Sequence, residues 1–343
     1  MAYQWIRTLG RGHFGVVELE RDLSLDRLCA VKYIPANALS GGVVDDHKEA
    51  KAMLLAKNEH VVNVFAADVV NGQSVIRMEY LPDGSVESRF SGAAVPVQTA
   101  IQIVEDACRG VQHLHTQGLL HRDIKPANLL FDAFGRVKVS DFGLSGMAND
   151  PETLPNMGYL KLLPPEAWTS GSFIDTVAGD IYALGGTAYR LLNGDEMMHS
   201  SLPADGNIGQ ATQMGTFPNR KLWQPYVHLR LRKAIISAMH VDPRKRPGTA
   251  ALLRNTLEKA RPVVSWAEHA GGMPHRWIGR GPSQTHWDAA IEGVNTEFSF
   301  TVRRGKNELA LREIRGDRIT TSNIQDARKH AGRVLQRIAQ DGV

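Results

Sequence analysis

Four residues stand at intervals that could carry chemistry: Asp123, then Lys125, Asn128 and Asp141, which follow it by two, five and eighteen positions. They lie in His121-Arg122-Asp123-Ile124-Lys125-Pro126-Ala127-Asn128 and in Asp141-Phe142-Gly143. Hard cations such as Mg²⁺ take oxygen ligands and keep several waters, so the Asp141 carboxylate and the Asn128 amide oxygen suit such an ion. Asp123 supplies a second carboxylate that can act as a base. The competing reading is a surface loop between two strands, with Asp and Asn as turn formers. With all four positions filled at these intervals, the chemical reading is the stronger.

This segment resembles the catalytic core of eukaryotic-type serine/threonine protein kinases. The resemblance implies ATP and Mg²⁺ as cofactors, with Asn128 and Asp141 as the metal ligands. It also implies that Asp123 accepts the proton of the incoming hydroxyl and that Lys125 steadies the γ-phosphate. Within that family, a lysine two residues after the aspartate marks enzymes acting on Ser or Thr.

Other elements must position these groups. Gly10-Arg11-Gly12-His13-Phe14-Gly15-Val16-Val17 is a Gly-rich run, and a dinucleotide-binding turn would need a helix directly after it. Instead Val17 and Leu19 alternate with Glu18 and Glu20, and Cys29 to Ile34 follows as another strand, which favours a hairpin. Glycines at a hairpin tip let backbone amides approach phosphates. The resemblance makes Gly10, Gly12 and Gly15 a lid over ATP and Lys32 the partner of its α- and β-phosphates. Glu49 is implied as the partner of Lys32, in a helix from about Asp45 to Lys57, with Asp46 the weaker candidate. Ser74 to Gly84 resembles the strand and hinge between two lobes. There the adenine would bond to the backbone of Glu79 and Leu81, with Met78 behind it and Val17 and Ala30 over one face. Each is equally natural as ordinary core.

Three further landmarks are structural. Glu166, after Pro164-Pro165, matches a glutamate that pairs with the arginine found here as Arg246, and Asp180 matches an aspartate that bonds to the catalytic-loop backbone. The resemblance runs from residue 4 to about residue 258. Two positions depart from it. Tyr159 stands where the family has threonine and Leu162 where it has tyrosine, and a bulky phenol cannot make the threonine's short bond without rearrangement. That bears on the peptide-docking site and on the nature of the acceptor. Thr153 is the best-placed candidate for an activating phosphate read by Arg122.

At 343 residues the chain suits two or three domains. The expected divisions are 1–81 (N-lobe), 82–260 (C-lobe) and 261–343 (accessory domain). The expected fold class is α+β, a bilobal protein-kinase fold with a β-rich N-lobe and a helical C-lobe, plus a small C-terminal α+β domain. No run of about 18 apolar residues occurs and the chain begins with a strand pattern, so the expectation is a soluble, cytoplasmic protein with no membrane partner and no signal peptide. The two cysteines, Cys29 and Cys108, cannot build a disulfide framework, and the 13 histidines include no HExxH pair.

After residue 261, residues 285 to 303 alternate as strands, Glu308 to Ile314 reads as a third strand, and Ser322 with Gln325 reads as the capping box of a last helix. Its apolar face runs Ile324, Ala327, Ala331, Val334, Leu335 and Ile338. Trp266, Trp277 and Trp287 read as core anchors. From Arg261 onward there are 13 Lys and Arg against 9 Asp and Glu, a balance of +4 that equals the net charge of the whole chain. Such a distribution permits nucleic-acid or acidic-partner binding, and a solvated helix face explains it equally well. Three functions compete: a protein kinase whose C-terminal domain docks a protein substrate or partner, a kinase-fold phosphotransferase acting on RNA or a small molecule, and a nucleotide-binding scaffold.

Overall fold

The computed structural model describes residues 3–12, 15–35, 57–141, 160–169, 176–269, 275–294 and 296–343. Glu49 with its expected helix, Thr153 and Tyr159 lie outside the described residues.

The chain opens with strands β1 (Tyr3–Gly12), β2 (Gly15–Asp22), β3 (Arg27–Ile34), β4 (Val64–Val70) and β5 (Gln73–Glu79). They form one antiparallel sheet in the order β1-β2-β3-β5-β4. Side chains alternate between the faces of a strand. Cys29, Val31 and Val75 therefore cluster on one face, while Ala30, Ile34, Ile76 and Met78 join the main core on the other. Ala30 pairs in register with Met78, and Lys32 with Ile76 on one side and Val17 on the other. Period two thus places Val17, Ala30, Lys32 and Met78 on one face.

The second part is helical. After the short α1 (Val86–Phe90), the twenty-residue α2 (Val97–Thr116) buries Ala100, Ile101, Val104, Ala107, Cys108, Val111 and Leu114. That stripe, repeating at three and four residues, is the amphipathic pattern of a core-facing helix. A small hairpin follows, β6 (Leu129–Phe131) and β7 (Val137–Val139). Helix α3 (Val177–His199) is buried along most of its length, is capped by the Thr176 side chain accepting from Gly179 N–H, and breaks at Gly194. Helices α4 (Ile208–Gln213), α5 (Leu229–Ala238) and α6 (Ala250–Lys259) complete this part, with α2 packed against α3 and α6. Cys29 and Cys108 are both buried and free.

Beyond α6, strands β8 (Ser265–Glu268), β9 (His275–Arg280), β10 (His286–Val294), β11 (Glu297–Gly305), β12 (Arg312–Glu313) and β13 (Ile319–Thr321) form a sheet in the order β12-β11-β10-β9-β8, with β13 also on β11. The last helix, α7 (Ile324–Asp341), buries Ala327, Ala331, Val334, Leu335 and Ile338 against β10, β11 and β13. Three expectations are corrected here. The strand expected from Glu308 to Ile314 shrinks to Arg312–Glu313. Strands β8 and β9 lie outside the alternating stretch read from the sequence. The cap of α7 is Asn323, whose side chain accepts from Gln325 N–H, and not Ser322.

Trp266, Trp277 and Trp287 are all buried. Trp266 and Trp287 meet edge to face at 6.3 Å, and a Cβ on Gly279 would come within 2.9 Å of both, so the sheet closes over them only with glycine there. This unit is seated on the helical part. Gln98 N–H donates to Ser265 Oγ at 2.9 Å and Gln336 Nε2 to Pro225 O at 3.0 Å, while Arg261 pairs with Glu105. One continuous apolar core runs from Ala30 to Ala339. Among the described residues no helix is long and apolar enough to cross a membrane.

Candidate active site

Asp123 lies between α2 and β6 in a segment held by Asp180 of α3. Asp180 accepts from the backbone N–H groups of His121 at 2.9 Å and Arg122 at 2.8 Å and lies 2.7 Å from His115 Nε2. A buried carboxylate with three such partners is satisfied, and it fixes the backbone from which Asp123 projects. Arg122 has φ 68 and so turns the chain through the left-handed region.

The side chains then converge. Lys125 Nζ donates to Asp123 Oδ2 at 2.7 Å. Asn128 Nδ2 donates to the same Oδ2 and to Asp123 O, each at 2.8 Å, so its amide oxygen remains for another partner. Asp141, at φ 58, follows the end of β7, and its Oδ1 accepts from Lys32 Nζ at 3.0 Å. Lys32 is only 6% exposed, and a buried ammonium requires a partner. Burial would raise the pKa of Asp141, but the charge and hydrogen bond of Lys32 outweigh it, with Lys125 adding to them, and the carboxyl is held below its ordinary value of 3.8. Burial pushes the His121 imidazole below its ordinary 6.5, against the opposing charges of Asp180 and Asp123.

The other expected site residues distribute along the sheet and its exit. Gly10 pairs in register with Val17 and Gly12 with Gly15 across the β1–β2 hairpin. Gly15 has φ 140, and a Cβ there would lie 1.9 Å from Tyr33 O, so the residue must be glycine. Met78 and Ala30 are each 8% exposed, and Val17 packs against the same core. Glu79 ends β5, and Leu81 O accepts from Gly84 N–H at 3.3 Å in the turn that follows. The Glu79 side chain has a role that local sequence did not suggest: its Oε1 takes Asn63 N–H and Lys138 Nζ, each at 2.7 Å. An acid ending one strand and a lysine inside another 59 positions on offered no local signal for that bridge. Arg246 grips Glu166 through two bonds of 2.7 Å, with the guanidinium fully buried.

Sheet, helical part and converging lysine, carboxylates and amide define the class. Residues 3–257 match the protein kinase domain family, and the chain belongs to that family. It is similar to the serine/threonine-protein kinase Pkn1 of Myxococcus xanthus, 31% identical over 78% of this chain and 39% of that protein. It is also similar to the serine/threonine-protein kinase PrkC of Bacillus subtilis, 29% identical over 75% of this chain and 40% of that protein. The chain therefore spans about two fifths of the length of these relatives. In fold it matches the kinase domain of PknI from Mycobacterium tuberculosis, with a TM-score of 0.59 at 22% identity, over 75% of this chain and 95% of that one.

The donor set fits Mg²⁺. Among the described residues no three His, Cys, Asp or Glu side chains gather into a protein cage, and Mg²⁺ bound with a nucleotide needs only one or two protein oxygens beside phosphates and water. Asn128 Oδ1 and Asp141 Oδ2 would serve as such oxygens.

Proposed function

We propose that the chain is a serine/threonine protein kinase that transfers the γ-phosphate of ATP to a protein hydroxyl. The observation that carries this reading is the convergence of Lys125 and Asn128 on Asp123 Oδ2, at 2.7 and 2.8 Å, together with the Lys32–Asp141 bond. Bound Mg²⁺ would neutralise charge on the transferred phosphoryl group, held by Asn128 and Asp141. Asp123 orients the acceptor hydroxyl and takes its proton, and its bonds from Lys125 and Asn128 hold the carboxylate in one orientation. Lys125 adds positive charge beside the carboxylate where the γ-phosphate would arrive. Lys32, on the sheet face shared with Val17, Ala30 and Met78, serves the α- and β-phosphates, with Glu49 as its second partner. Gly10, Gly12 and Gly15 form the lid, and the backbone of Glu79 and Leu81 receives the adenine. The divisions 1–81, 82–260 and 261–343 are the lobes and accessory unit of this reading, and the accessory unit docks the protein partner.

Acceptance by RNA is the weaker reading, and several of the C-terminal cations are held by acids. Arg276 bonds to Asp288 at 2.9 Å, Arg280 to Glu308 at 2.6 Å and Arg337 to Asp317 at 2.5 Å. The test is transfer of label from γ-labelled ATP with Mg²⁺ into a total cell lysate, with Asp123→Asn as control. Label on protein Ser or Thr, lost in the control, is the expected result; label resistant to protease and sensitive to ribonuclease overturns it.

A further inference from the structure

Between the helical part and the C-terminal sheet lies a crevice of about 660 Å³, lined by none of the residues assigned above to ATP, metal or acceptor. Its size and its place at a boundary between two units are those of a ligand site. Met197 of α3, Trp223 and Pro225 before α5, and Trp277 of β9 give it apolar walls. Two carboxylates stand there, Glu196 from the helical part and Glu268 from the sheet. Glu196 has no ion pair and no side-chain hydrogen bond among the described residues. The basic neighbour of Glu268 is His275, whose Nδ1 lies 3.7 Å away, beyond a hydrogen bond. The one guanidinium lining the crevice, Arg328, is turned onto His275 Nε2 at 2.8 Å, and that imidazole stacks on Trp277 at 5.9 Å and 8°.

Two more features surround the crevice. Trp277 is 3% exposed, and its indole N–H has no acceptor among the described residues. Helix α3 beside the crevice also holds the segment that leads to Glu166. His199, on the same helical turn as Glu196, lies 2.7 Å through its Nε2 from Lys161 Nζ.

We propose that this crevice docks an extended segment of the protein substrate that carries basic and apolar side chains. Glu196 and Glu268 take its arginine or lysine, and Met197, Trp223 and Trp277 take its apolar side chain. That the segment belongs to a substrate rests on the protein-kinase reading; the binding itself does not.

The probe is a fluorescein-labelled heptapeptide alternating arginine and leucine, titrated with the full chain by anisotropy beside a counterpart carrying glutamate for arginine. The wild-type chain is expected to bind the arginine peptide at least about tenfold tighter, and Glu196→Gln with Glu268→Gln to abolish that preference with no change in thermal midpoint. Attached to an acceptor sequence, the arginine–leucine segment is expected to lower KM and leave kcat unchanged, and the double variant to reverse this. Equal binding of the two peptides, unchanged binding by the double variant, or displacement of the peptide by equimolar phenethylamine overturns the proposal. Peptide binding without any phosphate transfer overturns the protein-kinase reading alone. Transfer to protein with no peptide binding overturns the docking proposal alone.

Discussion

Lys32 of β3 and Asp141 after β7 are 109 positions apart, and they meet with 3.0 Å between Nζ and Oδ1. One residue comes from the N-terminal sheet and the other from the helical part, so this bond joins the two across the site.

Replacing Lys32 with methionine removes the cation that offsets the burial of Asp141. Transfer from γ-labelled ATP is expected to fall by about 10² or more, the range seen when one preorganised donor is lost. Lys32→Arg, measured beside it, is expected to recover only part, because a planar fork does not replace a point charge.

Asp123→Asn and Asp141→Asn are expected to lower transfer by about 10²–10⁴ each, the usual contribution of a general base or a charge-stabilising group. They differ in nucleotide binding. The polar contacts of Asp123 are with Lys125, Asn128 and its own segment, so Asp123→Asn keeps its affinity for ATP with Mg²⁺, whereas Asp141→Asn loses a metal ligand and weakens it. Calorimetric titration distinguishes the two, and turnover retained by either variant contradicts the assigned roles.

Arg246→Met strands the Glu166 carboxylate, which is 16% exposed at its side chain. The expected loss of stability is about 3–5 kcal/mol in urea denaturation. Adding Glu166→Gln to Arg246→Met is expected to restore part of it, since the stranded charge is then gone.

His121 is buried with its pKa below 6.5, so between that depressed value and 6.5 the unfolded chain binds a proton that the folded chain does not. Stability is full above pH 6.5 and falls as pH drops from 6.5 toward the folded value, by at most about 1.4 kcal/mol per pH unit from this group. His121→Gln is expected to show a shallower decline between pH 7.5 and 5.5, measured as the urea midpoint of each protein at matched ionic strength. A slope equal to wild type would remove His121 from the acid sensitivity.

The spacing of Asp123, Lys125, Asn128 and Asp141 was legible because each interval lies within one short stretch, where backbone geometry leaves little freedom. Val17 and Leu19 alternating with Glu18 and Glu20 made β2 legible, whereas the face shared by Val17, Ala30, Lys32 and Met78 came from the register between strands. The capping of α7 was misplaced by one residue, from Asn323 to Ser322, because both can accept from the first turn and only the backbone decides which does. Strands β8 and β9 were missed because they are four and six residues long, too short for periodicity to tell from a loop.

What the amino-acid order alone determined is the chemistry at hand and the faces of its strands and helices, since periods of 2 and 3.6 residues are local properties. Tertiary structure decided which distant groups meet. Asp180 reaches the segment of Asp123 from 58 and 59 positions away, and Glu79 and Lys138 bridge 59. The crevice walled by Glu196 and Glu268 exists only because the C-terminal sheet seats on the helical part. Contacts of that kind depend on how whole elements pack, and no short window of sequence encodes the packing.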